Sequence, residues 1–238
     1  MSSSSKSGSC LPRAALAQAP TDVQGDGRWL SMHHRFVSEA RESEPEILWI
    51  GDSIIQRLIN SNIWERSFCQ MHSLNFGVSG DRTENLLWRI ENGELEGLAP
   101  KVIVLLVGTN NYDDSAEDIA TAIQTICSTI RDKQPQAYLV VLSLLPRGHE
   151  PNPLRDRNTK INELIGDYLK GNSRAQLINI DPGFVQADGT ISHHDMLDFL
   201  HLTQKGYDRA FEPVNELLQQ LMAESESDIV RTEAEGAA

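Results

Sequence analysis

The chain has 238 residues, 39% hydrophobic and 23% charged, a balance that excludes a disordered or fibrous protein and suits one sizeable core. Its 34 acidic and 21 basic side chains leave a formal charge of −13, which argues against a large nucleic-acid or anionic-membrane footprint, because phosphate surfaces are bound with surplus Lys and Arg. Apolar runs such as residues 102–107 fall far short of the roughly 18 residues of a spanning helix, so no membrane segment is expected.

Residues 1–22 are rich in Ser, Ala and Pro and read as a disordered tail. Pro12, Arg13 and Gln18 break the apolar run that a secretory leader needs, and Ser2 stands where myristoylation needs Gly. Cys10, Cys69 and Cys127 form no C-x-x-C pair and read as reduced thiols of a cytoplasmic protein. One domain, residues 23–222, follows. Within it, strands are expected at residues 46–50 (EILWI), 73–76 (SLNF), 102–107 (VIVLLV), 138–144 (YLVVLSL) and 177–180 (LINI). The third and fourth are apolar almost throughout, as parallel strands covered on both faces require. The clearest helix starts at Ser115, with Asp118 at capping-box spacing and Ile119, Ile123, Ile126 and Ile130 on one face. Further helices surround Leu164 and Tyr168 and run near Leu217–Leu221, where Pro213 is expected to kink or restart the last one. Residues 223–238 read as a disordered acidic tail. Alternating strands and helices predict a doubly wound, three-layer α/β/α fold, whose ligands collect beyond the carboxyl ends of the strands.

The loops after those strands hold the chemistry. Ser53, in Gly51-Asp52-Ser53, is placed at a helix start as a nucleophile beside its own unused N–H, or as a simple N-cap. Gly80 can offer its N–H to a ligand, or serve only as a turn glycine. Asn110 can donate its amide to developing negative charge, or belong to the turn. Asp198 and His201, three apart, share one side of a helical turn, so the carboxylate can orient the imidazole toward the serine; the alternative is a surface histidine. Ile54 and Leu200 flank these groups as walls of a small acyl pocket or as core residues. A metal site would use His193, His194, Asp195 and His201, but adjacent histidines tend to diverge and no H-E-x-x-H spacing exists, so no metal is expected. Independent turn chemistry rarely supplies a nucleophile, its base, the base's orienter and oxyanion donors together. A nucleotide-binding version of the fold is not expected, since no G-x-G-x-x-G follows the first strand and no GK[ST] P-loop exists.

In this order, GDS, the Gly80 loop, GTNN and DFLH resemble the four blocks of the SGNH (GDSL-type) hydrolases. More narrowly, VQGDGRW, WIGDSIIQRL, LNFGVSGDRTENLLWRIENGELE, LLPRGHEPNPLR and HDMLDFLHLT are similar to the catalytic α subunits of intracellular type I platelet-activating factor acetylhydrolases. The resemblance implies a flavodoxin-like fold, Ser53 as nucleophile, Asp198 and His201 as its triad partners, and an oxyanion hole of Ser53, Gly80 and Asn110. It also implies removal of the sn-2 acetyl group of a phospholipid, no cofactor, a homodimer or heterodimer of α subunits, and association with the WD-repeat lissencephaly protein (the β subunit). A short-acyl esterase of another substrate, and a dimeric adaptor in which catalysis is secondary, are the competing functions. Ser79, Arg82, Leu106 and Tyr112 depart from the family's usual Gly, Thr or Ser, Trp and His, which bears on pocket shape and not on the catalytic groups.

Overall fold

The computed structural model describes residues 11–236, with side chains as far as residue 225. Five parallel strands, β1 (Ile47–Gly51), β2 (Ser73–Gly77), β3 (Val102–Leu106), β4 (Tyr138–Leu142) and β5 (Ala175–Ile178), form one sheet in the order β2-β1-β3-β4-β5. In β1 and β3 every residue is buried, which accounts for their unbroken apolar sequence. Register is continuous across the centre: Ile50 pairs with both Phe76 and Leu105. β5 lies two residues earlier than its apolar run suggests. The Asn179 side chain accepts from the Asp181 N–H and the Ser143 hydroxyl, turning the chain out of the ladder while Ile180 stays buried.

Right-handed crossovers distribute the helices over both faces. On one, α2 (Ser53–Leu58), α3 (Asn62–Arg66) and α7 (Gln204–Gly236) cover an aromatic cluster in which Trp49 meets Trp64, Phe68 and Phe211. On the other, α4 (Thr83–Arg89), α5 (Ala116–Lys133) and α6 (Pro153–Leu169) pack side by side, with Ile123, Ile161 and Ile165 against Leu105 and Val141. α5 starts as its sequence dictates: Ser115 caps it by accepting from the Asp118 N–H, and Ile119, Ile123, Ile126 and Ile130 are buried. α1 (Arg28–Glu42) precedes β1 and stacks Phe36 on Phe76.

Three expectations are corrected. Residues 11–22 are ordered rather than a loose tail: Ala14 and Ala15 are buried beside Ala122, and the strap is sewn to α4 by Thr83 Oγ1–Ala14 O (2.8 Å), Gln18 N–Glu84 O (3.0 Å) and Asn85 Nδ2–Gln18 O (2.9 Å). Small side chains with accessible backbone can dock this closely although their composition reads as disorder; residues 1–10, with Cys10, lie outside the described residues. α7 passes Pro213 without interruption, so no restart occurs there. It also carries helix through the acidic stretch expected to be unstructured, which holds no further Gly or Pro before Gly236.

Candidate active site

The strand order reverses between β1 and β3, the switch point where doubly wound sheets open a crevice at their carboxyl ends. The loops carrying Ser53 and Asn110 leave from these two strands. Gly51 ends β1 so close to its neighbour that a Cβ would lie 2.1 Å from Leu106 O, so this position needs glycine for lack of space. The next residue decides between the two readings of Ser53. Asp52 is the N-cap, its Oδ1 accepting from Ile54 N at 2.9 Å, and Ser53 is the first residue inside α2. Its hydroxyl is therefore not spent on capping. α7 steadies this turn through Tyr207, whose hydroxyl donates to Ile54 O at 2.8 Å.

Ser53 Oγ lies 2.8 Å from His201 Nε2, and His201 Nδ1 lies 2.6 Å from Asp198 Oδ2. The pair is brought together by an Asx turn and not by the helical turn that its spacing suggests. Asp198 Oδ1 accepts the N–H groups of Leu200 (3.3 Å) and His201 (2.8 Å), and Phe199 between them takes a left-handed φ of 59°. A bulky residue is rarely held there, and loop 196–202 enforces it by an antiparallel bridge between Met196 and Leu202. Desolvation disfavours the Asp198 anion, but hydrogen bonds from the His201 N–H and imidazole outweigh it and hold this carboxyl below its ordinary range.

In the loop after β2, Gly80 is exposed with φ +86°, and a Cβ there would meet nothing within 4 Å. Glycine is needed for the backbone angle, not for room. Among the described residues neither Gly80 N–H nor Ser53 N–H has a backbone or side-chain acceptor. Asn110 is buried and donates one amide hydrogen to Asp81 O at 2.9 Å, which fixes the amide and leaves its second hydrogen unused. Ser53 and His201 are thus in contact with Asp198 behind the imidazole, and the loops after β2 and β3, the strands on either side of β1, carry unused donors at Gly80 and Asn110. A nucleophile, an oriented base and such donors are what acyl transfer requires. The profile of the GDSL-like Lipase/Acylhydrolase family matches residues 49–209, which span all of these groups. This chain belongs to that family.

As a GDSL-like acylhydrolase the protein is a carboxylic ester hydrolase. It is 50% identical over 213 residues to platelet-activating factor acetylhydrolase IB subunit alpha1 of Homo sapiens, covering 88% of this chain and 92% of that protein. Against subunit alpha2 of Gallus gallus the identity is 50% over 212 residues, covering 89% and 93%. A GDSL-like lipase of Bacteroides thetaiotaomicron shares the fold, with a TM-score of 0.64 at 19% identity over 81% of this chain and 98% of that one.

Other expected residues fall differently around this GDSL-like site. Ile54 is 1% exposed and packs with the core, and Leu200 is half-buried next to His201. His193 and His194 do not diverge, their rings lying 4.1 Å apart, and Asp195 is tied to Lys205 and Arg209. A cleft of about 800 Å³ opens beside the second loop, lined by Trp29, Met32, Gln56, Val78, Ser79 and Trp88. Three supporting residues escaped sequence reasoning. Asp52 is wholly buried, and desolvation pushes its carboxyl up to about 7 despite the Ile54 N–H. Asp81 holds Asn110 through its carbonyl and accepts from Arg89 Nε (2.7 Å) and Trp29 Nε1 (2.7 Å) through its carboxylate. Arg89 itself has 0% exposure, and its cation within the apolar run LLWRI was the available signal.

Proposed function

We propose that this chain is a serine esterase that removes the sn-2 acetyl group of platelet-activating factor and related short-acyl phospholipids. The contact of Ser53 Oγ with His201 Nε2 at 2.8 Å, with Asp198 behind the imidazole, carries this reading. His201 takes the proton of Ser53 as Oγ attacks the acetyl carbonyl, and Asp198 holds the imidazole in the tautomer with hydrogen on Nδ1. The N–H groups of Ser53 and Gly80 and the second Asn110 amide hydrogen receive the oxyanion, each worth about 3 kcal/mol in a dry site. His201 then returns its proton to the departing lyso-lipid alcohol, and water, deprotonated by the same base, releases acetate from the acyl-enzyme. The cleft beside Ser79 offers apolar surface for the alkyl chain of the alcohol.

The names of the relatives as acetylhydrolase subunits support the choice of ester and work as one α subunit of a larger assembly. The assembly we propose is a dimer of such subunits with the WD-repeat lissencephaly protein as partner. Cys69 and Cys127 are unpaired thiols, in keeping with a reducing, cytoplasmic location. The test is acetate release from 1-alkyl-2-acetyl-glycerophosphocholine by wild type and Ser53→Ala, with butyryl and long-chain sn-2 esters alongside. Activity is expected to fall about a thousandfold or more in the variant. Undiminished hydrolysis by Ser53→Ala removes the mechanism, and equal rates on long acyl chains remove the substrate.

A further inference from the structure

The phosphodiester of a zwitterionic lipid ester entering a chain of charge −13 needs a local cation, and the loop after β4 supplies one. Arg147 is half-buried, its Nη1 donating to Thr109 O (2.7 Å) and Thr109 Oγ1 (3.1 Å). Arg157, from α6, donates through Nη1 to Asn111 O at 2.7 Å. The two guanidiniums thus brace the residues on either side of Asn110. The same loop touches the triad: Gly148 N donates to Phe199 O at 2.8 Å, and the rings of His149 and Phe199 are 4.8 Å apart. Arg147 lies close enough to Asp52, the neighbour of Ser53, to favour its charged form.

Among the described residues neither arginine makes an ion pair with a carboxylate. Of the acids around them, Asp113 and Asp114 are engaged by Arg13 and Arg82, and Asp52 feels Arg147 without touching it. Arg157 Nε and Nη2 are sealed from solvent without partners, so they act as a fixed positive field behind Arg147. Arg147 Nε and Nη2 make no hydrogen bond and are not sealed in this way, and its guanidinium carbon sits 5.9 Å from the Tyr112 ring centroid. Two like charges set together oppose each other, and an anion joining them relieves that repulsion.

We propose that Arg147, reinforced by Arg157, is the anion subsite of this esterase and hydrogen-bonds the phosphodiester of a glycerophospholipid whose sn-2 carbonyl lies on Ser53. This deepens the esterase reading and rests on it. The sheet order supports the assignment. From the Ser53 loop on β1, the apolar cleft lies on the β2 side and Arg147 on the β3–β4 side. A glycerophospholipid diverges in the same way from its sn-2 carbon, with a chain on one neighbouring carbon and a phosphate on the other. A guanidinium with two unspent donors matches a phosphodiester's paired oxygens.

The test compares wild type, Arg147→Gln and Arg147→Lys on 1-alkyl-2-acetyl-glycerophosphocholine and on neutral 1-alkyl-2-acetylglycerol, with thermal unfolding as the check on folding. The ratio of kcat/KM for the phospholipid to that for the neutral ester is expected to fall about tenfold in Arg147→Gln, through KM, and less in Arg147→Lys. Millimolar inorganic phosphate is expected to compete with the phospholipid in wild type and to lose that effect in Arg147→Gln. Equal losses on both esters, reporting only a loosened Asn110 loop, overturn the proposal, as does an unchanged ratio. Failure of the esterase reading is distinguishable, because wild type then hydrolyses neither ester. In that case calorimetric binding of 1-alkyl-glycerophosphocholine, the deacylated product, decides the subsite: equal affinity for wild type and Arg147→Gln removes it.

Discussion

Two clusters of charge flank the Gly80 loop, built from the same kinds of residue. Beneath the loop, Arg89 reaches Asp81 (2.7 Å), Glu94, Phe76 O (3.1 Å) and Gly51 O (3.3 Å), and His33 Nδ1 meets Glu94 at 2.9 Å, all of them buried. At the outer edge, Arg82 bridges Glu84, Asp113 and Asp114 while Arg13 of the N-terminal strap shares the last two, with Asp113 and Arg13 more than half exposed. In the buried cluster no water can take the place of a lost partner, so the network ties the ends of β1 and β2 to the loop that carries Gly80 and steadies Asn110. In the outer cluster Arg13 and Asp113 can turn to water when a partner is lost, whereas Glu84 and Asp114 are nearly buried against Arg82, so it is the exposed pairs that do little beyond holding the strap in place.

That contrast can be broken experimentally. Arg89→Met strands two buried carboxylates, and urea unfolding is expected to show a loss of about 3–5 kcal/mol; a loss of the size found at exposed pairs erases the distinction. Asp52 sharpens it, because this buried carboxylate has no cation in contact and its Oδ2 has no partner. Its carboxyl rises from 3.8 to about 7, so the folded protein binds this proton more tightly than the unfolded chain does. Its contribution to stability therefore falls as pH rises between those values and is flat above them. Asp52→Asn keeps an acceptor for Ile54 N and is expected to remove that slope and gain at most about 4 kcal/mol above pH 7, read from unfolding curves at several pH values. Arg13→Ala, which removes the exposed end of the outer cluster, should barely move the urea midpoint, and that small effect should fade in high salt.

Much of the fold is legible because strand and helix signals are local. Residues 102–106 are apolar throughout and have no other soluble arrangement than a covered central strand; Ser115 with its isoleucine stripe likewise announces α5. Of the site, Ser53, Gly80, Asn110, Asp198 and His201 could be found from residue type and loop position. Their manner of assembly could not. Asp198 and His201 share a side through an Asx turn that depends on Phe199 being held at φ 59°, and the true cap of α2 is Asp52. Ile54 reads equally well as pocket or core from sequence, and only the structure shows it packed into the core.

Composition, periodicity and loop residues by themselves determined the layered α/β architecture and which side chains carry reactive atoms, since both follow from each segment's own chemistry. Only the tertiary structure decided that residues 11–22 pack as a strap, that Arg89 is buried beneath the second loop, and that Arg147 and Arg157 meet beside Asn110. Those outcomes depend on how distant segments exclude water from one another, a property no single segment possesses.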